Sequence, residues 1–371
     1  MATHMTSAPG RAGRNGGGLS RRRLLAAGGL AAVAGPVLAA CSSSSGSSAT
    51  TAGAGASSGA TSDLGALNYR LSWIKNVEFA GSYIADTKGY YKAQGFSSVN
   101  LIAGGASATP MEADVASGKA LVGVSSPDIT GAAIMKGAPL QIIGAQYQKN
   151  PFAIMSMASS PIKTAKDMYG KKIGVQVSNT STWNAFIKAA GLDVSKIKVV
   201  SVQFDPTPLT QGTVDGWFSF IDNEPVELES KGFKVTTFLL ADQGYPLVNE
   251  TYMATTESIK SNPAALKAFL IGEIKGWKDN IANPAYGAQL AVNVYGKGLG
   301  LTVPEQTKES QIENTLILDA DTKKNGLFTV TPALLEANMK TLATGGVTLT
   351  QSQLFNFSLL EAVYQENPEL I

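Results

Sequence analysis

From Leu67 onward, short apolar runs alternate with segments of helical periodicity. Four strand-like runs are separated by three helical patterns; the runs are 67–74, 99–104, 120–126 and 140–148, and the helical patterns are 79–95, 108–118 and 128–137. Strands separated by helices of this length are typical of βαβ units, which build largely parallel sheets. The pattern therefore predicts an α/β layer.

A second series of the same kind begins near residue 152. Its strand-like runs are 152–158, 172–177, 196–204, 215–221 and 233–241, with helical patterns at 181–191 and 225–232 and a short helix ahead of residue 172. From about Tyr252 the pattern is mostly helical. Two consecutive series of similar size predict a two-lobed α/β molecule, each lobe a mostly parallel sheet flanked by helices, with a helical C-terminal portion.

The chain opens on a different pattern. The stretch SRRRLLAAGGLAAVAGPVLAAC, residues 20–41, places three arginines before an apolar run and ends at the only cysteine of the 371 residues. The run of about 15 apolar residues is shorter than the ~20 that a transmembrane helix needs. A cationic start followed by such a run predicts an export signal over residues 1–40.

Two short motifs in this segment resemble known processing signals. Ser20 to Leu25 resembles the twin-arginine export motif, with Leu where Phe is usual, and Leu38 to Cys41 resembles the lipobox of bacterial lipoproteins. The resemblance implies that Cys41 carries the lipid and that residues 41–63, rich in Ser, Gly and Ala, form a flexible linker. One alternative is a buried or chance cysteine beside an ordinary signal. A separate alternative is export by the general route in place of the twin-arginine route.

Composition narrows the chemistry of the remaining chain. Residues 1–40 contain five arginines, no Asp or Glu and the only histidine, His4, so 25 basic and 28 acidic residues follow them. A mildly acidic body offers no basic face for nucleic acid. The absence of His and of a second Cys excludes Ser-His-Asp catalysis, His-ligated metal sites and disulfides from the exported part.

Several stretches together resemble the type II periplasmic solute-binding proteins of ABC importers, in the branch that binds thiamine-pyrimidine precursors, riboflavin and, more distantly, taurine, alkanesulfonates and nitrate. The matching stretches are LSWIKNVEFAGSYIADTKGYYKAQGF (71–96), GVSSPDI (123–129), QKNPFAIMS (148–156), KDMYGKKIGVQ (166–176), VDGWFSFIDNEPVELESKGF (214–233) and NPAALKAFLIGEIKGWKDNIANP (262–284).

The resemblance implies a lobe I of residues 64–152 plus 250–371 and a lobe II of 153–249, joined by a hinge near 148–151 and 247–251. It also implies a monomer without cofactor or metal, lipid-anchored on the outer face of the cytoplasmic membrane. Its partners would be one small solute, an ABC permease and the ATPase of that permease.

Ligands of open α/β sheets bind beyond the carboxyl ends of the strands, where helices begin. This rule selects the candidate ligand-binding residues Trp73, Asn76, Glu78, Phe79, Tyr83, Gly105, Ser107, Ser125, Ser126, Asp128, Gln146, Tyr147, Ser178, Asn179, Thr180, Ser181, Trp183, Asp222, Asn223 and Glu224. The aromatic members are equally suited to the core, the hydroxyl groups to helix caps, and the carboxylates to a cap or a solvated loop.

The candidate positions include no arginine, and only Lys75 and Lys149 lie near them. Aromatic rings stack on planar heterocycles, while amides and carboxylates pair with ring nitrogens and amino groups. We therefore expect a riboflavin-like or aminopyrimidine solute. An alkanesulfonate or taurine, held by helix N-termini, is the alternative ligand. The alternative classes are an enzyme resembling the thiamine-pyrimidine synthase, which the missing histidine disfavours, and a surface sensor or adhesin.

Overall fold

The computed structural model describes residues 63–105 and 108–371, and these residues belong to one compact unit. The predicted export signal (1–40), Cys41, the linker up to residue 62, and Ser107 lie outside the described residues.

The first sheet has five strands in the order β2-β1-β3-β10-β4. Its strands are β1 (Ala66–Arg70), β2 (Ser98–Ile102), β3 (Val122–Ser125), β4 (Leu140–Tyr147) and β10 (Asn249–Thr255). Strands β1, β2 and β3 are parallel, so the segments that follow them leave the sheet at one edge.

The second sheet repeats this arrangement in the order β7-β6-β8-β5-β9. Its strands are β5 (Phe152–Met157), β6 (Lys172–Gln176), β7 (Lys198–Val202), β8 (Gly216–Phe220) and β9 (Val235–Leu239). The chain crosses from the first sheet to the second at 148–151 and returns at 240–248.

The predicted α/β fold with two sheets flanked by helices is confirmed, and both sheets are mixed. Strand β10 is antiparallel to β3 and β4, and β5 is antiparallel to β8 and β9. Each of these strands is the first one after a crossing, so it enters its sheet from the opposite edge. The sequence pattern did not predict β10, because its residues follow the crossing and carry polar side chains such as Asn249 and Glu250.

Helices flank both sheets in the described part of the chain. They are α1 (Ala80–Thr87), α2 (Tyr90–Ala93), α3 (Met111–Ala116), α4 (Pro127–Met135), α5 (Thr180–Ala189), α6 (Thr207–Thr210), α7 (Glu224–Ser230), α8 (Thr256–Ser261), α9 (Pro263–Ala282), α10 (Pro284–Leu290), α11 (Val303–Ile317), α12 (Ala320–Asn325), α13 (Pro332–Gly345), α14 (Gln351–Leu354) and α15 (Ser358–Glu366). Six 3₁₀ turns (Val77–Phe79, Ala165–Met168, Val177–Asn179, Val194–Lys196, Leu240–Gln243 and Pro368–Leu370) and one π-helical turn (Ala291–Tyr295) complete the elements. Within the described ranges, none of these helices combines the length and apolar character that a membrane crossing requires.

Glycine allows α1 and α9 to pack closely. A Cβ atom on Gly276 would lie 2.0 Å from the backbone carbonyl oxygen of Gly81, and one on Gly81 would lie 2.4 Å from the Trp277 ring. Such distances are far inside van der Waals contact, so only glycine fits at either position. This contact fixes the layer of helices that packs against the first sheet.

The C-terminal helices contact both sheets. Helix α9 packs on the first sheet's helices, whereas Leu335 and Leu342 of α13 belong to the apolar core of the second sheet, beside α5. The segment after residue 330 therefore contacts helices on both sides of the crossings.

A buried carboxyl group organises the core of the first sheet. Glu273 of α9 is fully buried and accepts hydrogen bonds from Ser82 Oγ (2.9 Å), Tyr252 OH (3.0 Å), Trp277 Nε1 (3.2 Å) and Tyr91 OH. Burial raises the pKa of Glu273 to about 7, against the lowering effect of these donors. Removing the acceptor would leave several buried donors without a partner.

We predict that Glu273→Ala lowers the free energy of unfolding by about 3–5 kcal/mol, because it creates a cavity and leaves those donors unsatisfied. Urea unfolding followed by circular dichroism measures the change. The exposed helical Glu336→Ala is the control and should change stability by less than about 0.5 kcal/mol. Equal stability of the two variants would contradict the assigned role.

Candidate functional site

A cavity of about 500 Å³ lies between the two sheets, and we call it the main cavity. One wall comes from the segments after β1 and β3 and from β10, and the other comes from β5, β8 and the segments after β6 and β8. It is lined by Ser72, Trp73, Glu78, Met111, Ser125, Ser126, Ile129, Phe152, Ser178, Asn179, Phe218, Ser219, Phe220, Asn223, Glu224, Asn249 and Glu250. The carboxyl ends of parallel strands from both sheets thus face a single space.

Eight of the candidate residues line this cavity: Trp73, Glu78, Ser125, Ser126, Ser178, Asn179, Asn223 and Glu224. The three serines differ in whether their hydroxyl groups already donate a hydrogen bond within the protein. Ser125 Oγ donates to Glu112 Oε1 at 2.5 Å and Ser126 Oγ donates to Asp128 Oδ1. Ser178 Oγ is buried without a hydrogen-bond partner, so it can donate to a solute.

Two further candidates, Asn76 and Asp222, line a second cavity of about 180 Å³, which we call the acidic cavity. It is lined by Asn76, Val77, Glu78, Phe220, Asp222, Asn223, Glu309 and Glu313. Asn76 caps the 3₁₀ turn that carries Glu78, its Oδ1 accepting from the Glu78 N–H at 3.3 Å. The acidic cavity shares Glu78, Phe220 and Asn223 with the main cavity, so the two spaces are contiguous.

The other described candidates line neither cavity. Phe79, Tyr83 and Trp183 are buried in the apolar cores, where Tyr83 stacks on Tyr295 with ring centroids 4.3 Å apart. Thr180 is exposed and bonds the Val177 carbonyl, while Gly105 and Ser181 are absent from the two linings.

The remaining three candidates, Asp128, Gln146 and Tyr147, line neither cavity but form hydrogen bonds with residues that do. Asp128 is buried and accepts from Tyr245 OH at 2.8 Å as well as from Ser126. Tyr147 OH donates to Glu313 Oε1 at 2.7 Å, and Gln146 Nε2 lies 3.4 Å from the same oxygen. Both side chains therefore hold a carboxyl group of the acidic cavity in place.

Sequence reasoning missed twelve lining residues: Ser72, Val77, Met111, Ile129, Phe152, Phe218, Ser219, Phe220, Asn249, Glu250, Glu309 and Glu313. One signal was present in the sequence. Glu305, Glu309 and Glu313 recur at intervals of four on α11, and all three are buried, which places carboxyl groups on an inward helix face.

Glu250 is the least expected of these residues. It is 2% exposed, has a φ of +44° in β10, and accepts a hydrogen bond from Ser72 Oγ at 2.8 Å. A left-handed conformation is costly for a residue with a side chain, and such strain is concentrated at functional sites. Burial, followed by the neighbouring carboxyl groups, raises the pKa of Glu78, and burial likewise raises the pKa of Glu250.

The two carboxyl groups that follow β8 are similarly perturbed. Burial raises the pKa of Asp222 to about 7, and it raises the pKa of Glu224 to about 8 even though the Phe220 N–H donates to Glu224 Oε2 at 3.1 Å. Burial also raises the pKa of Glu309 and of Glu313. Burial without a positive charge nearby therefore shifts each of these groups towards its protonated form, relative to an exposed carboxyl group.

The described lining of both cavities contains no lysine, arginine or histidine. Arg70 is the only arginine after residue 23, and its guanidinium is occupied elsewhere. Its Nε donates to Asp114 Oδ2 at 2.8 Å and its Nη2 donates to the Thr109 carbonyl at 2.7 Å. Arg70 thus braces the loop after β2 and cannot serve as a clamp for an anion.

The described residues also contain no group of three or more His, Cys, Asp or Glu side chains arranged to hold a metal ion.

Comparison with known proteins assigns the class. Residues 76–286 match the family described as NMT1/THI5 like. This match spans more than half of the chain, and the chain therefore belongs to the NMT1/THI5-like family.

Among proteins of known function, the chain is 26% identical over 241 residues to the riboflavin-binding protein RibY of Chloroflexus aurantiacus, covering 62% of this chain and 67% of that protein. It is also 26% identical over 175 residues to the 4-amino-5-hydroxymethyl-2-methylpyrimidine phosphate synthase of Legionella pneumophila, covering 47% of this chain and 54% of the synthase.

The fold matches the periplasmic aliphatic sulphonate binding protein SsuA of Escherichia coli with a TM-score of 0.56 at 17% identity, covering 75% of this chain and 85% of SsuA. The fold is thus that of periplasmic binding proteins. Together the matches indicate the substrate-binding component of an ABC importer, and they confirm the prediction that the chain is not an enzyme.

The raised pKa values predict a stability that depends on pH. The protonated carboxyl groups stabilise the folded chain below the pKa of an unfolded Glu, ~4.3, and this contribution is lost as pH rises towards 8. We expect the free energy of unfolding of the ligand-free protein to fall between pH 5 and pH 8, by about 1.4 kcal/mol per pH unit for each proton involved.

Glu224→Gln should reduce this slope, because it removes one titrating carboxyl group and keeps an oxygen for the Phe220 N–H. Urea unfolding at four pH values measures how the free energy of unfolding changes with pH. Glu361→Gln, at an exposed position, is the control and should keep the wild-type slope. A Glu224→Gln protein with an unchanged slope would contradict the assignment.

Proposed function

We propose that this chain is the extracytoplasmic solute-binding component of an ABC importer, and that it holds a planar heteroaromatic solute in the main cavity. The observation that carries the proposal is the lining. Trp73, Phe152, Phe218 and Phe220 supply aromatic rings, while Asn179, Asn223 and Asn249 supply amides. Rings stack on a flat heterocycle and amides pair with its nitrogen and oxygen atoms, which fixes the orientation of the solute.

The charge of the site favours a heterocycle over an alkanesulfonate or nitrate. A buried anion needs an arginine or several concentrated donors, whereas this cavity presents Glu78, Glu224 and Glu250. Glu224 occupies the first position of α7, where an anion would otherwise approach the helix N-terminus. The names of the relatives agree in kind, since RibY binds riboflavin and the synthase makes a substituted aminopyrimidine phosphate.

We also propose that lobe I (64–152 plus 250–371) and lobe II (153–249) close over the solute, flexing at 148–151 and 247–251. Asn249 and Glu250 lie in the second of these segments and line the main cavity, so closure would act directly on ligand contacts. Since α13 packs on α5, closure must either carry α13 with the second sheet or slide it over α5.

Export and anchoring complete the proposal. The segment from Ser20 to Cys41 would direct the chain out of the cytoplasm by the twin-arginine route, and lipid on Cys41 would hold it at the outer face of the membrane. There the closed monomer would deliver its solute to a permease and its ATPase.

Trp73 and Phe220 are half-buried in the main cavity, whereas Phe152 and Phe218 are buried, so Trp73 is accessible for stacking. We expect Trp73→Ala to weaken solute binding by roughly 1–3 kcal/mol, as loss of an aromatic stacking partner does elsewhere. Trp73→Phe should retain most of the affinity. Quenching of tryptophan fluorescence, or calorimetry where Trp73 is replaced, measures binding of riboflavin, 4-amino-5-hydroxymethyl-2-methylpyrimidine and taurine.

Saturable binding of taurine alone would contradict the heteroaromatic proposal. Unchanged affinity for a bound heterocycle in a folded Trp73→Ala protein would show that Trp73 does not stack on the solute.

The anchor is tested separately with Cys41→Ser, because serine cannot form the thioether that attaches the lipid. In cells that make the full-length protein, we expect the wild type in the membrane fraction and the variant in the soluble exported fraction. Fractionation and immunoblotting measure the distribution. A variant that stays in the membrane fraction in wild-type amounts would contradict lipidation at Cys41.

A further inference from the structure

The acidic cavity contains carboxylate oxygens that the protein leaves without partners. Asp222 Oδ1, Glu309 Oε1 and Glu313 Oε2 are buried and accept no hydrogen bond, although the residues are only 5%, 2% and 0% exposed. Buried polar atoms are normally paired, so three orphaned oxygens lining one cavity require an explanation. A ligand that donates hydrogen bonds to them would provide it.

The second oxygen of each carboxyl group is already held in position. Tyr147 OH donates to Glu313 Oε1 at 2.7 Å and lies 3.3 Å from Asp222 Oδ2, while Gln306 Nε2 donates to Glu309 Oε2 at 2.7 Å. Each side chain is thus oriented through one oxygen and presents the other. This arrangement resembles a preorganised acceptor site more than a solvated acidic patch, whose groups would point into water.

The shape and surroundings of the acidic cavity indicate what would occupy it. It has room for about one water-sized group, which is the size of an ammonium group, and Val77 and Phe220 form apolar wall beside the carboxyl groups. A small organic cation has both an ammonium group for the oxygens and carbon atoms for the apolar wall. The acidic cavity adjoins the main cavity at Glu78, Phe220 and Asn223, which places a site for a charged group beside the site for the ring.

We propose that the solute carries a positively charged amino group on a short arm, and that this group lies in the acidic cavity against Asp222, Glu309 and Glu313 while the ring lies in the main cavity. The inference rests on the proposed function, since it assigns the charge of the same solute. It distinguishes ligands that the ring contacts alone do not, because a hydroxyl group of a flavin or a hydroxymethylpyrimidine donates one hydrogen bond and no charge, whereas an ammonium group donates three and neutralises the carboxyl groups.

The test compares matched probes that differ only in an amine and a hydroxyl group. The two pairs are 4-amino-5-aminomethyl-2-methylpyrimidine with 4-amino-5-hydroxymethyl-2-methylpyrimidine, and tryptamine with tryptophol; riboflavin is the neutral flavin. Calorimetry with the purified wild-type protein gives each dissociation constant. We expect the amine of at least one pair to bind about 10-fold or more tightly than its alcohol.

Two variants of α11 test whether the preference for the amine depends on the carboxyl groups of the acidic cavity. Glu309→Gln keeps an acceptor for Gln306 and removes one of the three carboxyl groups assigned to the amino group, so it should lower the ratio of amine to alcohol affinity several-fold. Glu305→Gln is the matched control, because Glu305 lies one turn earlier on the same buried helix face but lines neither cavity, and it should keep the wild-type ratio. Asp222→Asn provides a second variant if Glu309→Gln does not fold.

The outcomes distinguish the two proposals. Binding of riboflavin or the alcohols with no preference for either amine would overturn the cationic assignment and leave the proposed function standing. Failure of every aromatic probe to bind would overturn both. Tight binding of calcium ions alone, lost in Glu309→Gln, would replace the organic cation by an inorganic one and also overturn the inference.

Discussion

The burial of carboxyl groups between the two sheets is the constraint on which the site depends. Glu78, Asp222, Glu224, Glu250, Glu309 and Glu313 line two contiguous cavities whose described walls contain no cationic side chain. Buried carboxylates repel one another and lose hydration, so they either keep protons or accept a positive charge. Because the folded protein keeps these carboxyl groups buried together, we expect the site to bind a group that neutralises them.

The fold explains how the cluster is assembled from distant parts of the chain. Asp222 and Glu224 follow β8 in one sheet, Glu250 begins β10 in the other, and Glu309 and Glu313 come from a C-terminal helix. Because the chain crosses between the sheets twice, β10 enters the first sheet antiparallel and brings Glu250 to the cavity. Any movement of one sheet relative to the other would change the distances between these charges, so the proposed closure would be coupled to ligand binding.

Much of the fold could be predicted from local patterns. The periodic apolar runs identified nine of the ten strands to within a few residues, and the edge formed by the parallel strands placed Trp73, Ser178 and Asn223 in the cavity. Strand β10 was missed because Asn249 and Glu250 are polar, and their burial depends on pairing with β3 and β4. Helix 79–95 was predicted as one element but divides at Gly89, whose φ is +72°.

The site residues that sequence reasoning missed are those whose role depends on tertiary contacts. The spacing of Glu309 and Glu313 places them on one helix face, but the burial of that face depends on how α11 packs, with Glu313 accepting from Tyr147 and Glu309 from Gln306. Conversely, Tyr83 and Trp183 occupy positions after strands, yet their rings complete the cores instead of reaching the cavity.

The most direct measurement of the central claim is native mass spectrometry of the full-length protein isolated from its host, followed by accurate-mass identification of any small molecule released. The account predicts one solute per chain, and that solute should be a nitrogen-containing aromatic compound. A bound sulfonate or nitrate in its place would contradict the account.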